Sequence, residues 1–213
     1  MTVRGNGRTH FLADMIATLR RLLSAREGVG AVEFAILVPL LLVAYIGAYE
    51  TSVAMSFLNK VGRASATISD FLTQGETVSV EKDMQGAATD IALNVIAPFT
   101  SEDFEIKITG VQVDDAGTAT VAWYWQNAAA TGSTPAKGDP FALAADMRMS
   151  KSFYVQTQLS MKYEYLLFLR EIAWRLEDPT FRRTSLSRVR KGDTISCTMA
   201  AGAVTQWPGC VKN

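Results

Sequence analysis

Between Val29 and Tyr49 the chain is apolar on every side, and Glu33 is its only charged residue. A run of roughly 20 apolar residues is long enough to cross a bilayer core as a helix. From about Glu50 the pattern changes. Tyr45, Tyr49, Val53, Phe57, Val61, Ala64, Ile68 and Phe71 recur at steps of three and four, with Glu50, Ser52, Asn59, Lys60, Arg63 and Asp70 between them. That spacing places one apolar stripe on a helix. The two patterns together predict a single helix from about Val29 to Leu72, on the order of 65 Å long at 1.5 Å per residue. Its first half suits lipid or partner helices, and its second half suits the surface of a soluble domain. Pro39 removes one backbone hydrogen bond in the apolar half, which predicts a kink or a loosened stretch.

Thr73-Gln74-Gly75-Glu76-Thr77 breaks the periodicity. Val80 to Ile96 then reads as a second amphipathic helix, with Met84, Ala87, Ala88, Ile91, Ala92, Val95 and Ile96 on one side and Ala97-Pro98 ending it. Next the period drops to two. Phe104, Ile106 and Ile108 alternate with charged residues, and after Thr109-Gly110 the phase shifts to Val111 and Val113. A phase shift at an isolated glycine predicts a β-bulge. Asp114-Asp115-Ala116-Gly117 is turn chemistry, and Ala119, Val121, Trp123 and Trp125 alternate after it, so a hairpin is expected with these four on one face. Gln126 to Asp139 reads as a loop. Phe153 to Tyr165 keeps strict alternation and predicts a strand. Leu166 to Leu176 fits either a continued strand or a helix, and Asp178-Pro179 breaks it. Arg182, Arg183, Arg188, Arg190 and Lys191 around Leu186 and Val189 predict a basic edge strand ending at Gly192-Asp193. Charge of this kind commonly blunts a sheet edge, and it also suits an acidic partner or phospholipid head groups. The fold class is therefore α+β: a long N-terminal membrane-spanning helix continues into a domain with a second helix and an antiparallel sheet.

Charge refines this picture. The chain is neutral overall, but residues 1–28 carry five Arg against Asp14 and Glu27. A basic side followed by an apolar span places the N-terminus in the cytoplasm and the C-terminal domain outside. The organisation expected is a basic cytoplasmic leader at 1–28, the transmembrane half of the helix at 29–49, and an exported α+β domain at 50–213. Within the leader, Phe11, Leu12, Met15, Ile16, Leu19, Leu22 and Leu23 recur at helical spacing beside Arg20, Arg21 and Arg26. Such a basic amphipathic helix suits an anionic inner leaflet. The apolar run is too long for the core of an ordinary secretory signal. No basic face with interleaved aromatics follows, so nucleic acid is not an expected partner.

Gly28 is followed by four residues and then Glu33-Phe34, opening an apolar helix with basic residues upstream. This resembles the prepilin-peptidase site of type IV pilin-like proteins. The fuller stretch GVGAVEFAILVPLLL resembles the N-terminal segment of the TadE-like pseudopilins of tight-adherence (Tad) pili, and the resemblance runs from Glu27 to Gly47, about one tenth of the chain. The resemblance implies cleavage between Gly28 and Val29, with Glu33 as the fifth mature residue. A cut after Gly30 would make Glu33 the third, so Gly28 is preferred. Many pilins begin with Phe after cleavage, where this chain has Val29. In that family the glutamate neutralises the new N-terminal ammonium, within the subunit or on a neighbour, and helps recruit subunits. The implied fold is pilin-like and its domain periplasmic, anchored in the bacterial inner membrane. The implied partners are a prepilin peptidase, other Tad pilins and pseudopilins, inner-membrane platform proteins and the lipid bilayer. Major pilins of such systems are far shorter, which points to a minor role. An uncleaved single-pass protein with a periplasmic ligand- or partner-binding domain is the alternative.

Little in the chain points to catalysis. The only histidine, His10, lies in the leader, so the mature chain builds no Ser-His or Cys-His pair. There is no Gly-x-Ser-x-Gly, P-loop or dinucleotide-binding glycine run. The carboxylate pairs Glu102/Asp103, Asp114/Asp115 and Glu177/Asp178 fall in predicted turns, where such residues cap and turn the chain. No enzyme activity, cofactor or metal is expected. Cys197 and Cys210 are the only cysteines, and on the exported side of a membrane an even count favours a disulfide. Trp123 and Trp125 are expected in the core, with a ligand-facing platform as the sharper alternative.

Overall fold

The structure is a computed structural model that describes residues 28–99, 104–165, 179–203 and 207–212. The leader helix expected before Gly28 and the segment Leu166 to Leu176 lie outside the described residues. The protein is mixed helix and sheet, in two units, Met1–Tyr49 and Glu50–Asn213. Helix α1, Val29–Leu72, supplies residues to both and is helical without interruption through Pro39.

In the second unit α1 buries Phe57, Val61, Ala64, Ile68 and Leu72, at steps of four and three. Ser65 and Ser69 are buried beside them. Small residues there let the helix lie close on a sheet, and their hydroxyls bond to it. Ser65 Oγ donates to the Thr157 carbonyl at 2.8 Å, and Ser69 Oγ makes a longer contact to the Ser185 carbonyl at 3.4 Å. The sheet holds β2 (Phe104–Val113), β3 (Ala119–Gln126), β4 (Phe153–Lys162) and β5 (Thr180–Arg188), all antiparallel, in the order β3-β2-β4-β5. The basic strand is thus an edge, as its charge pattern predicts, though it ends at Arg188 rather than at Gly192-Asp193. One core fills the space between the sheet and the helices, with Ile106, Ile108, Val155 and Leu159 contributed by the strands.

The irregularity at Gly110 is present, but the extra residue is on the other strand. Pairing steps from Gly110↔Trp123 to Val111↔Val121, which leaves Ala122 over on β3, while β2 keeps its register with β4 throughout. The phase shift in β2 has a second cause. Ile106 and Ile108 face the main core, whereas Val111 and Val113 join Ala119, Leu143 and Tyr154 in a separate cluster. Successive side chains alternate between sheet faces, so burying both faces in turn reads as a slipped period. The bulge also divides the row expected on β3: Trp123 and Trp125 are in the main core, Ala119 in the second cluster, and Val121 in neither. Gly110 is needed where it stands. A Cβ there would lie 2.3 Å from Trp123 Cε2, inside the indole that fills the space.

The second helix occupies the expected range in two forms. Residues Val80–Ala88 (α2) are π-helical and Thr89–Ile96 (α3) are α-helical. Val80, Met84, Ala88, Ala92 and Ile96 are buried, each four residues from the next. Four residues exceed a 3.6-residue turn, so this stripe drifts round an α-helix. The wider i→i+5 turn drifts the opposite way, and the two forms in series keep the stripe on the core. Ser79 caps the start. Its Oγ accepts from the Lys82 N–H at 3.3 Å, and Asp83 Oδ2 accepts from the Ser79 N–H at 2.8 Å.

A second, parallel sheet was not legible in the sequence. It pairs β1 (Thr77–Ser79), β6 (Ser196–Met199) and β7 (Val211–Lys212) in the order β1-β6-β7. The expected disulfide, Cys197–Cys210, ties β6 to the residue before β7. Closing a loop of this size contributes about 3 kcal/mol in the chain-entropy model. Glu81 Oε1 accepts from the Ala200 N–H at 2.9 Å, joining α2 to the end of β6.

Gly110→Ala is expected to cost about 1–3 kcal/mol by overpacking against Trp123. A urea midpoint equal to wild type would show that the indole has room to move. The Ala200 N–H, more than any other group, holds the Glu81 carboxyl below its ordinary value of 4.5. A depressed carboxylate contributes stability above its unfolded value, and that contribution is lost as pH falls through the folded one. The stability gap between wild type and Glu81→Gln should therefore shrink below about pH 4.5, which melting curves across acid pH will read.

Candidate functional site

The first unit is described from Gly28 to Tyr49. Its helix is long and apolar enough to cross a membrane: an 18-residue window has a mean hydropathy of 2.4, and none of it is buried. Helices at the centre of soluble domains pass the same test of composition but are covered by their own chain. Here Phe34, Ile36, Leu40 and Val43 are each about two-thirds exposed. Tyr45 and Tyr49, expected on the inward stripe, are exposed as well. An apolar surface of this extent needs lipid or protein around it.

Gly28, Val29 and Glu33 stand together at the start of this surface, and all three are exposed. Val29 and Glu33 are four apart in a helix, so they share a face and differ in height by about 6 Å. Glu33 has no side-chain partner among the described residues. A Cβ added at Gly28 or Gly30 would meet nothing within 4 Å, and neither has the positive φ that favours glycine. Gly30, inside α1, costs about 1 kcal/mol relative to alanine, whereas Gly28 precedes the helix, where glycine is well tolerated. Among the described residues no close contact asks for glycine at either position. Pro39 follows within the helix, and the Ala35 carbonyl lacks the N–H that any other residue would offer. Cys197 and Cys210 belong to the second unit and take no part in this arrangement.

The other candidate chemistry sorts into structural roles. Asp114 Oδ1 accepts from the Ala116 and Thr118 N–H groups at 2.9 and 2.7 Å, so it forms the turn between β2 and β3. Asp115 faces Lys151 at 3.7 Å on the surface. Glu102/Asp103, Glu177/Asp178 and Trp174 lie outside the described residues. Trp123 is buried, and its Nε1 donates to the Ile195 carbonyl at 2.8 Å. On the basic edge, Arg190 pairs with Asp70, and Arg182 Nε donates to Ser160 Oγ at 3.2 Å.

Glu50 is the residue that sequence reasoning misplaced. It was expected on the polar side of α1, yet it is only 2% exposed. Its Oε1 accepts from the Tyr163 hydroxyl at 2.8 Å. The signal was available: Glu50 is one heptad before Phe57 and extends the buried stripe as well as Tyr49 does. A carboxyl group is stable inside only where hydrogen bonds replace water. Around it Phe57, Tyr163 and Phe181 pack with ring centroids 5.3–5.9 Å apart.

No family model, curated protein or solved structure matches this chain. Tyr163→Phe, which leaves that carboxyl one donor short, is expected to cost about 1–3 kcal/mol. Chemical denaturation of the full chain measures it, and an unchanged midpoint would mean other groups meet the need of Glu50.

Proposed function

We propose that the chain is a TadE-like minor pseudopilin. In this reading it is inserted in the bacterial inner membrane through Val29–Tyr49, with residues 1–28 in the cytoplasm and the α+β unit in the periplasm. A prepilin peptidase cuts between Gly28 and Val29, and the processed subunit primes, caps or joins a Tad-type pilus or its secretion machine. The protein performs no catalysis of its own. Its partners are that peptidase, other pilins and pseudopilins, and the inner-membrane platform.

The observation that carries this reading is the spacing of Gly28 and Glu33 at the head of an exposed apolar helix. Among the described residues no close contact requires the glycine, and the carboxylate has no side-chain partner. A peptidase that cuts after glycine accounts for the first. A free ammonium on Val29, one helical turn away, accounts for the second. Two opposite charges in or near lipid stabilise one another where each alone costs several kcal/mol. The same pairing between neighbouring subunits would draw them into register. The basic leader and the apolar span agree with a cytoplasmic N-terminus.

The decisive experiment is N-terminal sequencing of the membrane-extracted protein from its native host, beside Gly28→Ala. The native chain should begin at Val29 and the variant should stay full length. The variant should also fold as wild type, because its new methyl group enters open space. A native chain that begins near Met1 would instead leave an uncleaved membrane-anchored protein with a periplasmic binding domain.

A further inference from the structure

A cavity of about 440 Å³ opens beside Trp125, within the range of small-ligand pockets, about 300–1,000 Å³. Its walls include Gln85, Thr89, Gln126, Asn127 and the two indoles of Trp125 and Trp207. The rings meet edge to face, with centroids 6.3 Å apart and planes at 61°. Among the described residues no lining side chain carries a charge. We propose that this cavity binds a neutral oligosaccharide, a role independent of whether the chain is processed at Gly28.

The chemistry of the walls selects that class. A pyranose ring has apolar faces of C–H groups and a rim of hydroxyls that both donate and accept. The part-exposed Trp207 ring covers a face, and amides and hydroxyls, which also do both, meet the rim. An anionic or cationic ligand would find no opposite charge among the described lining residues.

Two walls are fixed in advance. Asn127 is held at both ends of its amide: Oδ1 accepts from the Ile106 N–H at 3.0 Å, and Nδ2 donates to the Phe104 carbonyl at 2.7 Å. Gln126 Oε1 accepts from the Tyr124 hydroxyl at 2.8 Å, and its Nε2 donates to the Ala130 carbonyl at 3.3 Å. Burial, helped by the nearby Glu105 carboxylate, pushes the Tyr124 hydroxyl up to about 12, so it remains a donor at any physiological pH. Walls already ordered lose little freedom when a ligand arrives.

The opposite wall keeps the Gln85 and Thr89 side chains available. Among the described residues neither the Gln85 amide nor the Thr89 hydroxyl is engaged. Trp125 is 1% exposed, and its Nε1 is a buried donor with no acceptor among the described residues. Leaving such a donor unmet costs about 1–3 kcal/mol. The π-helical turns fall at this wall: Gln85 is inside them and Thr89 follows directly. Wide turns of this kind are rare and often occur at functional sites.

The test uses the full chain in a detergent without a sugar head group, reading tryptophan emission. It is titrated with the β-1,4-linked N-acetylglucosamine tetramer, cellotetraose, maltotetraose and a proline decamer. A saturable change with at least one glycan is expected. Trp207→Ala should weaken it about tenfold and Gln85→Ala about fivefold, from the loss of one aromatic contact and one hydrogen bond. Near-UV circular dichroism checks that each variant is folded, and the exposed Gln85 provides the variant that spares the core. The proposal falls if none of the three glycans saturates, if only the proline peptide does, or if folded Gln85→Ala and Trp207→Ala both bind as wild type.

Discussion

The second unit depends on how closely α1 can lie against its sheet. Ala64, Ser65 and Ser69 keep that face of the helix small, and Ser65 closes the contact with a buried hydrogen bond to the Thr157 carbonyl. A hydroxyl buried without that partner would cost more than the bond contributes, so the serine and the strand carbonyl require one another. Phe57, Val61, Ile68 and Leu72 then reach the core beside Ile106, Ile108, Val155 and Leu159. The helices α2 and α3 cover the remaining part of the same core. Their alternation of wide and normal turns follows from that demand, since a stripe with four-residue steps stays inward only if the turn varies.

The sheet is covered on both faces in different places, and this shapes β2 and β3. Near Phe104 the main core lies on one face, and near Val113 the smaller cluster lies on the other. Gly110 stands where one gives way to the other, and Trp123 occupies the volume that its missing side chain leaves. The bulge at Ala122 re-aims β3 so that both indoles point to the main core. Gly209 allows a similar approach. It has φ near +78°, and a Cβ there would lie 2.0 Å from the Ala122 carbonyl oxygen. The chain beside the disulfide can therefore reach β3, where the Pro208 carbonyl accepts from the Tyr124 N–H at 3.0 Å.

What the sequence revealed follows from how local each signal is. The span and end of α1, the range of the second helix and the four antiparallel strands rest on periodicity, which neighbouring residues carry among themselves. The disulfide needed only two cysteines and an exported setting. The parallel sheet has strands of two to four residues, and Thr77–Ser79 pairs with residues well over a hundred positions later. Nothing local encodes such a pairing. Glu50 escaped because its charge outweighed its place on the stripe. The wide turns of α2 escaped because a four-residue step fits an ordinary helix over a single turn. The described cavity walls come from α2 and the start of α3, from β3 with the two residues after it, and from Trp207. Trp125 alone pointed to that cavity, as the sharper of two readings for its strand.

The glycines and carboxylates of this chain divide according to whether the fold accounts for them. Gly110 and Gly209 are forced by an indole and a carbonyl oxygen. Asp83, Asp114 and Glu81 each accept from a backbone N–H, and Glu50 accepts from Tyr163. Among the described residues Gly28 and Glu33 have no such account: the glycine, like Gly30, meets nothing within 4 Å, and the carboxylate lies exposed on an apolar helix. A helix that only crossed lipid would be more stable with leucine in place of Glu33. Glu33 therefore weakens the helix that contains it, five positions after Gly28. In the proposed reading, a partner that handles this end of the helix accounts for both residues: cleavage after Gly28 and subunit pairing through Glu33 would use them together.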